Sequence, residues 1–164
     1  MDEAVFRNAL LGSIDGGQAY MPFDEAIAGF PPEHYNTRPT NVPYTFWHLL
    51  EHIRLTALDI ADYTVGETYH ELEWPREYWP DASATAGEDD WNATIAGFRE
   101  TMATLRQLVA NPETDLTALA RHANGNEKHT IAREILVTTD HNAYHTGEFA
   151  ILRQVMGIWP AGHA

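Results

Sequence analysis

The chain contains no cysteine. That excludes a disulfide framework, a thiolate zinc site and a cysteine nucleophile, so any sulfur chemistry would have to arrive with a substrate or cofactor. Positive charge is also scarce, with 10 Lys and Arg against 24 Asp and Glu and a formal net charge of -14. A phosphate backbone or an anionic membrane surface is repelled over most of such a molecule, which argues against nucleic acid and membrane partners. Long apolar runs are missing too: no segment approaches the roughly 18 apolar residues needed to span a bilayer. The amino-terminal MDEAVFRNALLGSIDGG lacks the cationic start and apolar stretch of a signal peptide. These absences predict a soluble, cytoplasmic protein.

No run alternates convincingly at period two, and no internal repeat is evident; what the chain carries is helical periodicity. With 164 residues and 44% hydrophobic content it can bury a core as one domain over 1–164. Val5, Phe6, Leu10 and Ile14 recur near the helical period within residues 2–15, and Gly16-Gly17 ends that helix. A short amphipathic piece over 23–29 leads into a connection broken by Pro31, Pro32, Pro39 and Pro43. The second long helix fits 44–66, with Thr45 as N-cap and Gly66 as stop. Phe46, Leu49, Leu50, Ile53, Ala57 and Ile60 share one broad side of it, and His52 lies at that side's edge. Residues 67–87 form an aromatic loop interrupted by Pro75 and Pro80. A helix over 88–110 follows, its Trp91, Ile95, Phe98, Met102, Leu105 and Val109 spaced by three and four and ended by Asn111-Pro112. After a polar stretch at 112–129, the last helix fits 130–157, from Thr130 to Gly157. The expected fold is all-α: a four-helix bundle with a short extra helix and long connections between helices 1 and 2 and helices 2 and 3.

His141 and His145 stand four apart in that last helix. Such residues have Cβ atoms about 5–6 Å apart on one face, so two imidazoles can reach one ion. They share a stripe with Thr138, Leu152, Val155 and Met156, which predicts an inward orientation. The spacing alone fits two ordinary polar residues as readily as a metal pair. His52, at the inner edge of a helix able to pack against the last one, supplies a third imidazole. Three neutral imidazoles converging in the core would leave coordination positions open for water or substrate. His48 makes a second pair within WHLLEH, but it points about 40° farther from the apolar side, so His52 is preferred as ligand and His48 is assigned to the surface or a supporting position.

Glu148 shares the face of His141 and His145, and Asp59 shares that of His52. Either could orient a ligand or act on a metal-bound water. A solvated surface charge is the plainer reading of both, which leaves Glu148 a candidate catalytic group only. Asp140 faces away from the stripe, and His34, His70, His122, His129 and His163 carry no assigned role.

WHLLEHI at 47–53 and DHNAYHTGEF at 140–149 resemble the histidine motifs of the DinB-like superfamily of metal-dependent four-helix-bundle proteins. The second resembles that family's closing H-x-x-x-H-x-G-Q pattern, with Glu148 standing where glutamine is common. Carried over position by position, the resemblance implies His52, His141 and His145 as metal ligands. It further implies a divalent ion, often zinc or nickel, and frequently a homodimer. Characterised members of the family use a low-molecular-weight thiol, whose pKa the metal lowers so that the thiolate attacks a small electrophile.

Two functions remain open on the sequence. One is an enzyme whose three-histidine ion activates a thiol or water, with Trp74, Tyr78 and Trp79 of the aromatic loop walling the pocket; each of these aromatics alone also reads as packing. The other is a non-catalytic metal- or ligand-binding stress-response bundle, with His48 or Glu148 as the fourth ligand of a closed site. DNA binding, suggested by the family name, is opposed by the acidic charge.

Overall fold

A computed structural model describes residues 2–16, 18–125 and 128–162; Gly17 and His163 lie outside these. The elements are α1 (Glu3–Asp15), α2 (Phe23–Ile27), a single 3-10 turn (Pro32–His34), α3 (Phe46–Val65), α4 (Glu88–Ala110) and α5 (Ile131–Met156). Among the described residues there is no strand, only an isolated antiparallel bridge between Leu119 and Thr130. The chain is therefore all-helical.

The helix ends follow local chemistry. Asp2 caps α1 by accepting from the backbone N–H of Ala4 at 2.9 Å, and Thr45 caps α3 by accepting from that of His48 at 3.1 Å. Thr130 accepts from Arg133 at the start of α5, whose end is turned by Gly157 at φ 66°, a left-handed position that glycine adopts without strain. The extra helix α2 stops at Ile27, two residues short of the expected end. There Ala28 becomes extended and Gly29 turns left-handed at φ 57°.

α3 packs against α4 and α5, α1 packs against the same two helices, and α2 lies on α5. The apolar side read for α3 is buried in full, from Phe46 to Ile60. One core cluster is aromatic: Tyr35 stacks on Trp91 at 4.1 Å, and Phe30 sits within 5.2 Å of Phe46, Trp91 and Phe149. The other, built on Leu10, Leu105, Val109, Leu116 and Ile135, fills the space between α1, α4 and α5.

The apolar period of α5 misleads about its direction. Ile135, Asn142, Thr146, Phe149 and Arg153 form its buried face, whereas Val155 is 76% exposed. At 100° per residue that face centres about 120° from His141. The histidine stripe therefore runs along the margin of the core rather than through its middle.

Arg153 is fully buried, which its charge did not suggest. Its guanidinium donates to the carbonyls of Ala26 and Ala28, lies 3.8 Å over the Trp159 ring, and so ties α2 to the end of α5. Planar, weakly hydrated and delocalised, it tolerates burial where an ammonium would not. Arg153→Met would strand the carbonyls of Ala26 and Ala28 and remove the bond to that of Ile158; the expected cost is about 2–4 kcal/mol, measured by urea denaturation, and a loss under about 0.5 kcal/mol would contradict the role.

Candidate metal centre

Three side chains from two helices meet where the middle of α3 faces the middle of α5. His52 is 2% exposed, and His141 and His145 are partly buried. Their ring centroids are 4.5–5.0 Å apart, and one ligating nitrogen from each lies within 4.8 Å of the other two. His52 Nε2 and His141 Nε2 are 3.2 Å apart. Two nitrogens bound tetrahedrally to zinc at its ordinary bond length stand about 3.3 Å apart.

Each ring's outer nitrogen shows how it is held. His52 Nδ1 donates to the carbonyl oxygen of Tyr78 at 2.8 Å; a carbonyl only accepts, so the proton sits on Nδ1 and Nε2 presents a lone pair inward. The same ring stacks on Trp79 at 3.9 Å and 7°. His145 Nδ1 lies 2.7 Å from Glu148 Oε2 and donates to that carboxylate, which frees its Nε2. His141 Nδ1 is buried without a hydrogen-bond partner, as is the Oδ1 of its neighbour Asn142.

Burial lowers the pKa of His52 from 6.5 to about 4, aided by nearby His145 and opposed by the Tyr78 carbonyl. Burial likewise takes His141 to about 4, with both other histidines pushing the same way. Both rings are thus neutral across physiological pH, the form a metal requires. For Glu148, burial acts upward, but the hydrogen bonds from His145 and Tyr44 prevail and hold the carboxyl below its usual range.

The carboxylates read as surface charges are engaged. Glu148 is half-buried and accepts from both His145 and the Tyr44 hydroxyl, whose own pKa is driven up by burial and by that bond. Tyr44, in the proline-rich connection, was not singled out by sequence; its only signal was adjacency to the α3 cap. Asp59 accepts from the Tyr78 hydroxyl at 2.8 Å, which anchors the aromatic loop about two turns along α3 from His52. His48 is not on the surface: it is 2% exposed and donates through Nε2 to the Ala84 carbonyl at 2.9 Å, away from the triad. Asp140 is exposed as read. Of the loop aromatics, Trp79 packs on His52, Tyr78 supplies its carbonyl, and Trp74 is 68% exposed.

Among known proteins, the sequence profile of the DinB superfamily matches residues 17–149. The chain belongs to the DinB superfamily. No curated protein and no solved structure matches it. The matched segment contains all three histidines and Glu148, so the DinB profile and the histidine cluster coincide on one part of the chain. The donor set fits a borderline divalent ion: three imidazoles, two held in the tautomer that points Nε2 inward.

The two depressed histidines set a pH dependence in metal-free protein. The unfolded chain takes up protons as pH falls through 6.5, while the fold refuses them until about 4, so stability declines as pH drops across that window. Urea midpoints of metal-free protein between pH 7 and 4.5 should fall for the native sequence and fall less for His52→Gln/His141→Gln; parallel declines would sink the assignment. Removing the carboxylate behind His145 with Glu148→Ala should weaken metal affinity by about 10–100-fold, read by chelator competition, without loss of the fold.

Proposed function

We propose that the protein is a divalent-metal-dependent enzyme built on a four-helix bundle of α1, α3, α4 and α5, with His52, His141 and His145 as the metal ligands. The reaction class is attack of a low-molecular-weight thiol, or of water, on a small electrophile. The observation that carries this reading is the donor count. Three histidine nitrogens lie within 4.8 Å of one another, and His48, the other histidine in WHLLEH, is turned to a backbone carbonyl. Glu148 is engaged by His145 and Tyr44. Three protein donors suit an open, catalytic coordination rather than a saturated, structural one.

When bound, a divalent ion supplies the Lewis acidity that lowers the pKa of a thiol or water and polarises an electrophile. The chain's own residues do the rest. The Tyr78 carbonyl and Glu148 fix two imidazole tautomers, and Trp79 holds the His52 ring plane. Glu148, a candidate for proton transfer or for orienting a ligand, is arranged for the second role, since one carboxylate oxygen meets His145 and the other Tyr44. A thiol partner is favoured over water because the chain has no cysteine and the DinB relatives it resembles use such thiols. Zinc or nickel is the ion of choice, and a cytoplasmic homodimer acting on small molecules, without nucleic acid or membrane, completes the reading. No helix among the described residues is long and apolar enough to cross a membrane.

Metal content of untagged protein tests the ligand set: native protein should hold close to one ion per chain, and His52→Ala, His141→Ala and His145→Ala should each lose it. Full stoichiometry in all three variants would overturn the triad. Turnover of an electrophile should then depend on bacillithiol, mycothiol or glutathione. Metal binding without turnover, with or without thiol, would favour the alternative of a non-catalytic metal- or ligand-binding bundle.

A further inference from the structure

Eight large apolar side chains are well exposed among the described residues, and just two of them are aromatic: Trp74 at 68% and Tyr144 at 71%. Both stand beside the histidine cluster. Trp74, from the loop between α3 and α4, lies 6.5 Å from the His52 ring at 60°. Tyr144, from α5, meets the His145 ring edge-on at 4.8 Å and 88°. The two rings belong to different elements and approach different histidines, which are themselves 4.8 Å apart.

Neither ring is spent on the core. The neighbouring Trp79 is stacked between His52 and Tyr44, so its faces are taken. Among the ring contacts of the described residues, Trp74 meets Tyr78 and His52, both at a tilt, and Tyr144 meets His145. Leaving a Trp and a Tyr in water forgoes the large burial gain these side chains offer, and amphipathic rings at a site's rim are well suited to gripping a ligand.

We infer that Trp74 and Tyr144 flank the mouth of the metal site and select a small molecule with a flat, uncharged apolar body, gripped by its faces while a donor or electrophilic atom reaches the ion. The chain's excess of acidic groups disfavours an anionic body there. This rests on the metal-centre reading above and adds the substrate class to it.

Cobalt-loaded protein provides the test, with acetohydroxamate and benzohydroxamate as probes. Both coordinate through the same group and differ in the aromatic body, and the visible cobalt spectrum reports binding of each. Benzohydroxamate should bind the native protein more tightly, by about 10-fold. Trp74→Ala and Tyr144→Ala should each reduce that ratio by about 2- to 10-fold with cobalt content unchanged, whereas Val155→Ala, on the same exposed side of α5, should leave it unaltered. A ratio insensitive to both aromatic substitutions overturns the inference while sparing the metal site. A shift of Tyr144→Ala to a smaller assembly with the ratio unchanged also overturns it, assigning that ring to a subunit contact. Failure of native protein to load cobalt would remove the metal reading and this inference together.

Discussion

The centre depends first on the hydrogen bond from His52 Nδ1 to the Tyr78 carbonyl. It places the imidazole proton on the outer nitrogen, and so turns a lone pair toward His141. It also joins α3 to a loop with no regular structure of its own. The loop's other anchors lie nearby: the Tyr78 hydroxyl on Asp59, His48 on the Ala84 carbonyl, and Asn36 paired with the backbone of Ala86. With the loop pinned at these points, Trp79 is delivered flat against His52, which excludes water from one side of the ring and keeps it uncharged.

The second histidine arm follows a different logic. His145 is oriented by a carboxylate rather than a carbonyl, and that carboxylate is steadied by Tyr44 from a connection distant in sequence. A neutral carbonyl thus stands behind one imidazole and an anion behind the other, each fixing which ring nitrogen carries the proton. Behind His141 there is neither, and its buried Nδ1 meets no hydrogen-bond partner. The position of the stripe at the core margin buries His52 almost completely and leaves His141 and His145 only partly covered, which still keeps His52 and His141 neutral.

Much of this was legible in the sequence. Thr45, Gly66, Thr130 and Gly157 mark helix ends because capping is local chemistry, and the apolar sides of α3 and α4 repeat cleanly enough to give their buried faces. The triad followed from spacing on two helices together with the family resemblance. The errors share one cause, which is that a helical wheel shows where apolar residues gather but not what lies opposite them. α5 centres a polar face on the core, with Asn142, Thr146 and Arg153 buried and Val155 exposed, so its apolar period pointed to the edge of the buried face rather than to its middle. Glu148 and Asp59 were read more plainly as solvated, and His48 as either surface or supporting, because their partners, Tyr44, Tyr78 and Ala84, come from irregular connections whose path no periodicity encodes.

Several of the loop's tethers end on its main chain. Tyr78 and Ala84 contribute carbonyls, Arg38 reaches the carbonyl of Ala82, and Asn36 holds both the N–H and the carbonyl of Ala86. Every residue type carries a backbone carbonyl and all but proline an N–H, so most substitutions along the segment leave its course in place. Exposed positions such as Trp74 stand apart from those tethers, so the same backbone path can carry other side chains beside the histidines without re-solving how the histidines are held.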